Sequence, residues 1–233
     1  SKGLHLIADS YLDVMACKAQ QAALPFTRKL LDGKNYTELV RDIRESGYDL
    51  VVIGALGMGA VKDSVLGSVC ERVVRRVRTD TLVVKCTLPM QERDDAPILV
   101  GVDGSPSSYA GIRAGAALGK AFGRPVEAVA VYDPILHGII FHRMVGVLSA
   151  KAAGLFRSEE QEQLHEKVID AGLAQIYRSH LEVARGVAEA EGVPLKISLM
   201  SGKAFDRILQ HVRTTQPWLL ILGRVGLHGD EEL

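Results

Sequence analysis

The 233-residue sequence has few cysteines, no excess of charge of either sign, no long hydrophobic run and no catalytic signature. Its three cysteines, Cys17, Cys70 and Cys86, share no paired spacing. An odd, unpatterned set in a chain too large to need covalent staples points to buried or incidental thiols in a reducing cytoplasm. Lysine plus arginine and aspartate plus glutamate each number 28. That balance gives no pointer to a nucleic-acid or membrane partner. No apolar run approaches the length of a membrane span, and the first residues do not form a signal-peptide pattern. There is no G-x-S-x-G elbow, no lysine closing a glycine loop in the Walker pattern and no pair of candidate catalytic carboxylates. His137 and His142 stand five apart without a cysteine or carboxylate at ligand spacing, which argues against a metal site. The expectation is a protein that is not an enzyme, with no catalytic and no metal-ligating residues.

What the sequence does contain is a repeat. Residues 1–57 align without a gap to residues 170–226. Gly3 meets Gly172, Leu12 meets Leu181, Pro25 meets Pro194, Gly33-Lys34 meets Gly202-Lys203, and Gly54 and Gly57 meet Gly223 and Gly226. Such self-similarity marks a tandem duplication. It predicts a first domain over 1–88, a linker over 89–97 rich in proline and charge, and a second domain over 98–233. Read against each other, the copies imply that the first begins at a mid-domain helix and that the second lacks its last helix and strand.

Within the copies, short apolar runs alternate with amphipathic stretches. In the first copy these predict a helix to residue 23, a strand at Phe26–Leu31, a helix over 36–46, a strand at Leu50–Ile53, a helix over 66–78 and a strand at 81–85. The second copy predicts strands at 98–102, 126–132, 195–199 and 219–222, with helices over 106–123, 159–191 and 203–214. Ser105-Pro106 reads as an N-cap followed by a proline at the first helical position, and Ser158-Glu159-Glu160-Gln161 as a capping box. Strands alternating with helices at this spacing predict tandem doubly wound α/β domains, each with a parallel sheet and helices on both faces.

The chain is organised around the stretch from Ile53 to Val69. A buried strand runs into Gly54-Ala55-Leu56-Gly57, and Gly67-Ser68 opens the next helix. A loop from a strand's carboxyl end to a helix's amino end is where open α/β sheets bind ligands, and free backbone N–H groups there favour anions. The pattern G-x2-G-x9-G-[S/T], met by Gly54, Gly57, Gly67 and Ser68, resembles the ATP-binding loop of the universal stress protein family. The resemblance implies the adenine nucleotide alpha hydrolase-like, Rossmann-like form of this fold, strand order 3-2-1-4-5 and a dimer-like pairing of domains.

It also implies nucleotide contacts. Gly54, Leu56, Gly57, Gly67, Ser68, Val69 and Cys70 would hold phosphates in the first copy, and Gly223 and Gly226 are their counterparts in the second. Asp103, after the first strand of the second copy, matches the acidic residue that holds the nucleoside; without a ligand it would cap the following turn. The expected ligand is ATP, with or without Mg2+, bound by a cytoplasmic regulatory or sensing module that is a homodimer or a pseudo-dimer of its tandem domains. The acidic end Asp230-Glu231-Glu232 reads as a solvated tail, because carboxylates beside a phosphate repel it. Arg72, Arg75, Arg76 and Arg78 form a basic stripe without interleaved aromatics, which reads as a solvated helix face. The alternative function is an interaction module that docks a partner through its sheets and the apolar stretch 135–148.

Overall fold

The computed structural model describes residues 2–57, 66–85, 93, 95–134 and 159–226, with side chains from residue 9 and, in the long second-copy helix, from residue 171. Two compact units emerge, residues 1–90 and 91–233. The division falls in the predicted linker.

The first unit contains α1 (Lys2–Gln21), α2 (Asn35–Ser46), β1 (Val51–Gly54), α3 (Ser68–Arg76) and β2 (Thr81–Val84). The valine-rich strands β1 and β2 pair in parallel, from Val51 opposite Thr81 to Gly54 opposite Val84. Val40 and Ile43 of α2, with Val73 and Val77 from α3 and the turn that ends it, close over Val51 and Ile53. The 40/43 and 73/77 spacings place each pair on one helix face. The other face of this small sheet is open: Val52 is 61% and Val84 45% exposed.

One expected element is absent. Residues 26–31 form no strand, and Phe26 and Leu30 lie exposed. In the second unit the corresponding residues pair along a neighbouring strand. The first unit has no described strand before residue 26 to serve as that partner, and a strand without a ladder leaves its backbone donors and acceptors to water.

The second unit contains β3 (Ile98–Gly101), α4 (Pro106–Phe122), β4 (Val126–Tyr132), α5 (Glu159–Ala190), β5 (Leu195–Ser201), α6 (Ala204–Thr215) and β6 (Leu219–Ile221). Its strands lie in the order β5-β4-β3-β6, all parallel. Numbered within the copy this is 3-2-1-4. On one face, Ile98, Val100, Val126, Ala128 and Ala130 pack against Ile112 and Ala116 of α4 and Leu181, Ala184 and Ala188 of α5. The apolar stretch 135–148, His137, His142, Ser158, Lys62, Cys86 and the acidic end 230–232 lie outside the described residues.

The duplication is written into the backbone as well. Left-handed φ values recur at aligned positions: Ala23 (54°) and Gly192 (73°), Gly33 (138°) and Gly202 (126°), Gly47 (64°) and Gln216 (45°). Helices α2 and α6 are both 12 residues long, and each begins after a lysine N-cap, Lys34 or Lys203.

Close packing of α4 on the sheet depends on Gly119. A Cβ there would lie 2.6 Å from Val126 Cγ2 and 2.9 Å from the Arg124 carbonyl oxygen. A helical glycine replaced by alanine ordinarily gains about 1 kcal/mol; here overpacking outweighs that gain. Gly119→Ala is expected to destabilise the second unit by about 1–3 kcal/mol. Urea unfolding followed by the single tryptophan, Trp218, whose ring lies tilted 5.0 Å from that of Phe122, would show it.

Candidate functional site

In the second unit chain order reverses between β3 and β6, and the carboxyl ends of strands at such a switch point are where open α/β sheets bind ligands. Asp103 follows β3 there. Its Oδ1 accepts hydrogen bonds from the Ser105 N–H (3.0 Å) and the Ser105 hydroxyl (2.6 Å). Ser105 is the N-cap of α4: its Oγ accepts from the Ser108 N–H at 3.2 Å, and Pro106 follows as the first helical residue. Asp103 therefore does cap this turn, the role anticipated for it without ligand. Its second oxygen faces the loop after β6. A Cβ on Gly226 would lie 2.9 Å from Asp103 Oδ2, and one on Gly223 would lie 2.9 Å from Ser107 Oγ. Ser107 ties the two walls together by donating to the Val225 carbonyl at 2.9 Å. Asp103 and Gly226, distant in sequence, thus meet, while Gly223 packs against Ser107 at the start of α4.

An aromatic wall beside Asp103 escaped sequence reasoning. The hydroxyls of Tyr109 and Tyr177 have pKa values raised by burial and then by the negative charge of Asp103. Tyr177 lies 6.3 Å from Tyr132 and 5.6 Å from His180, centroid to centroid. His180 in turn covers Gly104, where φ is +91° and a Cβ would approach the imidazole to 2.5 Å. The i, i+3 spacing of Tyr177 and His180 in the long helix was the available signal.

In the first unit the two ends of the glycine loop come together. Ala55 N–H donates to Val84 O at 2.9 Å, continuing the ladder past Gly54, and Gly67 N–H returns to Ala55 O at 2.6 Å. A Cβ on Gly67 would lie 3.2 Å from Ala55 O and 3.6 Å from the Gly57 nitrogen. Gly67 is the N-cap of α3 and supplies no side-chain cap. The helical ladder begins only with Glu71 N–H to Gly67 O at 3.0 Å. The N–H groups of Ser68, Val69 and Cys70 consequently have no acceptor within the helix. They lie at the positive end of its dipole, directly after Gly67, which approaches Gly57 and exposed Leu56. The Cys70 thiol is 2% exposed and its pKa is raised by burial, so its share of the site is the backbone donor.

The two units present different features: the first has helix N–H donors without a side-chain cap after a glycine loop, and the second has a carboxylate beside Gly226 and an aromatic wall. Among the described residues no group of three or more His, Cys, Asp or Glu converges as a metal site. Nor is any described helix long and apolar enough to cross a membrane.

The family model described as the universal stress protein family matches residues 4–85 and again 96–233. The chain belongs to the universal stress protein family. Among curated relatives, Universal stress protein Rv1996 of Mycobacterium tuberculosis is 29% identical over 127 residues, covering 54% of this chain and 39% of that protein. The aligned stretch thus spans about two-fifths of that relative's length. Among solved structures, a universal stress protein from Archaeoglobus fulgidus DSM 4304 superposes with TM-score 0.56 at 17% identity, over 92% of this chain and 69% of that one. Its likeness shows the fold, a tandem α/β Rossmann-like arrangement. A second Archaeoglobus fulgidus family member was solved in complex with dAMP; it matches at 17% identity and TM-score 0.36, over 56% of this chain and 82% of its own.

Proposed function

We propose that this universal stress protein binds an adenine nucleotide, ATP with or without Mg2+, as a cytoplasmic sensing module that does not turn it over efficiently. The observation that carries this reading is the start of α3, where the Ser68, Val69 and Cys70 N–H groups follow Gly67, an N-cap without a side chain that packs against Gly57. Within the second unit, Asp103 beside Gly226 suits contact with a nucleoside, since a carboxylate accepts hydrogen bonds from ribose hydroxyls or the adenine amine. A family member solved with dAMP supports an adenine nucleotide as the ligand class. Signalling would follow by linkage: bound nucleotide favours one arrangement of a homodimer or tandem pseudo-dimer by its differential affinity for it.

The test is equilibrium binding of a fluorescent ATP analogue, with and without Mg2+, competed by ATP, AMP and GTP. Among the described residues nothing lies within 4 Å of a Cβ added at Gly57, so the position has room for a side chain, and Gly57→Trp places bulk in the loop before the donors. At least a tenfold loss of affinity is expected. Unchanged binding in that variant would overturn the assignment of the loop. A second reading, docking of a protein partner, is favoured by the open face at Val52 and Val84. Gly57→Trp would leave such docking intact.

A further inference from the structure

We propose that Lys34, Tyr36, Arg72 and Arg76 form an oxyanion site, for a phosphate group, on the α2–α3 face of the first unit. The basic stripe on α3 has an aromatic partner that the linear sequence hides. Tyr36, in the first turn of α2, receives Arg72 at 4.6 Å, Lys34 at 5.1 Å and Arg76 at 5.3 Å from its ring centroid. Arg72 and Arg76 are one turn apart on α3, and Lys34 is the N-cap of α2.

Three cations gathered on one ring repel each other. The neighbouring acids have other partners: Glu38 pairs with Arg41, Glu71 with Arg75 at 3.2 Å, and Asp42 with Lys29. Among the described residues no ion pair includes Lys34, Arg72 or Arg76. Arg44 brings a further guanidinium alongside by donating to the Arg76 carbonyl at 2.9 Å. The chain as a whole is neutral, so the cluster is a local concentration and not a share of a general excess.

The phenol shows that negative charge is favoured here. Its pKa is lowered to about 8, through hydrogen bonds from Lys34, Thr37 and Arg76 and the charge of Lys34. Guanidinium forks match oxyanions, and a neutral phenol donates one more hydrogen bond. Because the cations cover the ring, the ligand is a phosphate group and not a stacked base. In the second unit the residue aligned with Tyr36 is Phe205, 73% exposed and without a hydroxyl, so the repeat does not explain the cluster.

The experiment is a titration of the full chain carrying 13C-labelled tyrosine, with the Tyr36 signal assigned by Tyr36→Phe. Sulfate serves as a probe of constant charge, beside inorganic phosphate and AMP, at ionic strength matched with chloride. Sulfate and phosphate should shift the Tyr36 signal saturably and raise its titration midpoint from about 8 toward the ordinary value of 10.0. By the same linkage, sulfate binding should weaken severalfold as pH rises through that midpoint, and this pH dependence should vanish in Tyr36→Phe. Arg72→Ala with Arg76→Ala should weaken binding at least tenfold. The Lys double variant, which keeps the charge and loses the forks, should weaken it about threefold. Gly57→Trp should leave the response intact, separating this site from the glycine loop. A response no larger than that to matched chloride, a response to AMP alone, or full affinity in both double variants would overturn the proposal.

Discussion

Glu127→Ala is expected to cost the second unit about 2–4 kcal/mol of stability, although glutamate is ordinarily a surface residue. Glu127 is 2% exposed, in the second position of β4, between Leu99 and Lys196 in the parallel register. Its Oε1 accepts from Ser198 Oγ at 2.7 Å and lies 3.0 Å from His211 Nε2, while Oε2 accepts from Lys196 Nζ at 3.0 Å. Burial alone would push the carboxyl pKa up. The Ser198 and Lys196 hydrogen bonds, with the charges of Lys196 and His211, outweigh it and leave the pKa below its ordinary 4.5. A folded-state pKa below the unfolded value means that the carboxylate stabilises the fold above pH 4.5. That contribution disappears as pH falls through the lower, folded-state value. The expected cost lies below the 3–5 kcal/mol typical of breaking a fully buried pair, because Lys196, with its side chain 68% exposed, regains water when the carboxylate goes. Urea unfolding read by Trp218 fluorescence measures it. Glu127→Gln, close in shape but uncharged, should lose the acid-side pH dependence as well. A cost under about 1 kcal/mol for the alanine variant, within the range of an exposed pair, would show that solvent replaces all three partners.

Glu127 also marks where sequence reading reached its limit. The run Val126-Glu127-Ala128-Val129 reads correctly as a strand, but burial of both faces and the convergence of Lys196, Ser198 and His211 depend on tertiary pairing. Local signals were faithful wherever the chain itself supplied the cause. Ser105-Pro106 opened α4 as cap chemistry requires, Pro25 followed the end of α1, and Gly54, Gly57, Gly67 and Ser68 fell between the end of β1 and the start of α3. They failed where the cause lay elsewhere. Phe26–Leu31 has strand composition without a ladder to join. Tyr36, far in sequence from Arg72 and Arg76, supplies the aromatic that the stripe lacked on paper. Asp103 was legible as an acidic residue after a strand, but not its closeness to Gly226, which needs β6 beside β3.

The same distinction predicts that two aligned leucines differ sharply in value. Leu181→Ala should destabilise the second unit by about 2–5 kcal/mol, whereas Leu12→Ala should cost the first unit no more than about 1. The repeat makes the two residues equivalent: each stands in the helix before a Pro-led segment, with valine two positions on (Val14, Val183). Leu181 is 1% exposed and packs with Ile112, Ala116, Ala184 and Ala188 against the β3–β4 surface, so truncation there leaves a cavity that rigid neighbours cannot fill. Leu12 is only half-buried, on a helix whose Tyr11, Val14 and Met15 are 53%, 56% and 52% exposed. Water already reaches that helix, so removing the side chain costs part of a transfer term and little cavity. Trp218 fluorescence reports the first variant, and amide hydrogen exchange along α1 reports the second. Equal costs would mean that α1 is buried to the same depth as α5. The predicted asymmetry follows because a duplicated sequence copies helix propensity and apolar spacing, whereas burial must be supplied by whatever packs against the helix.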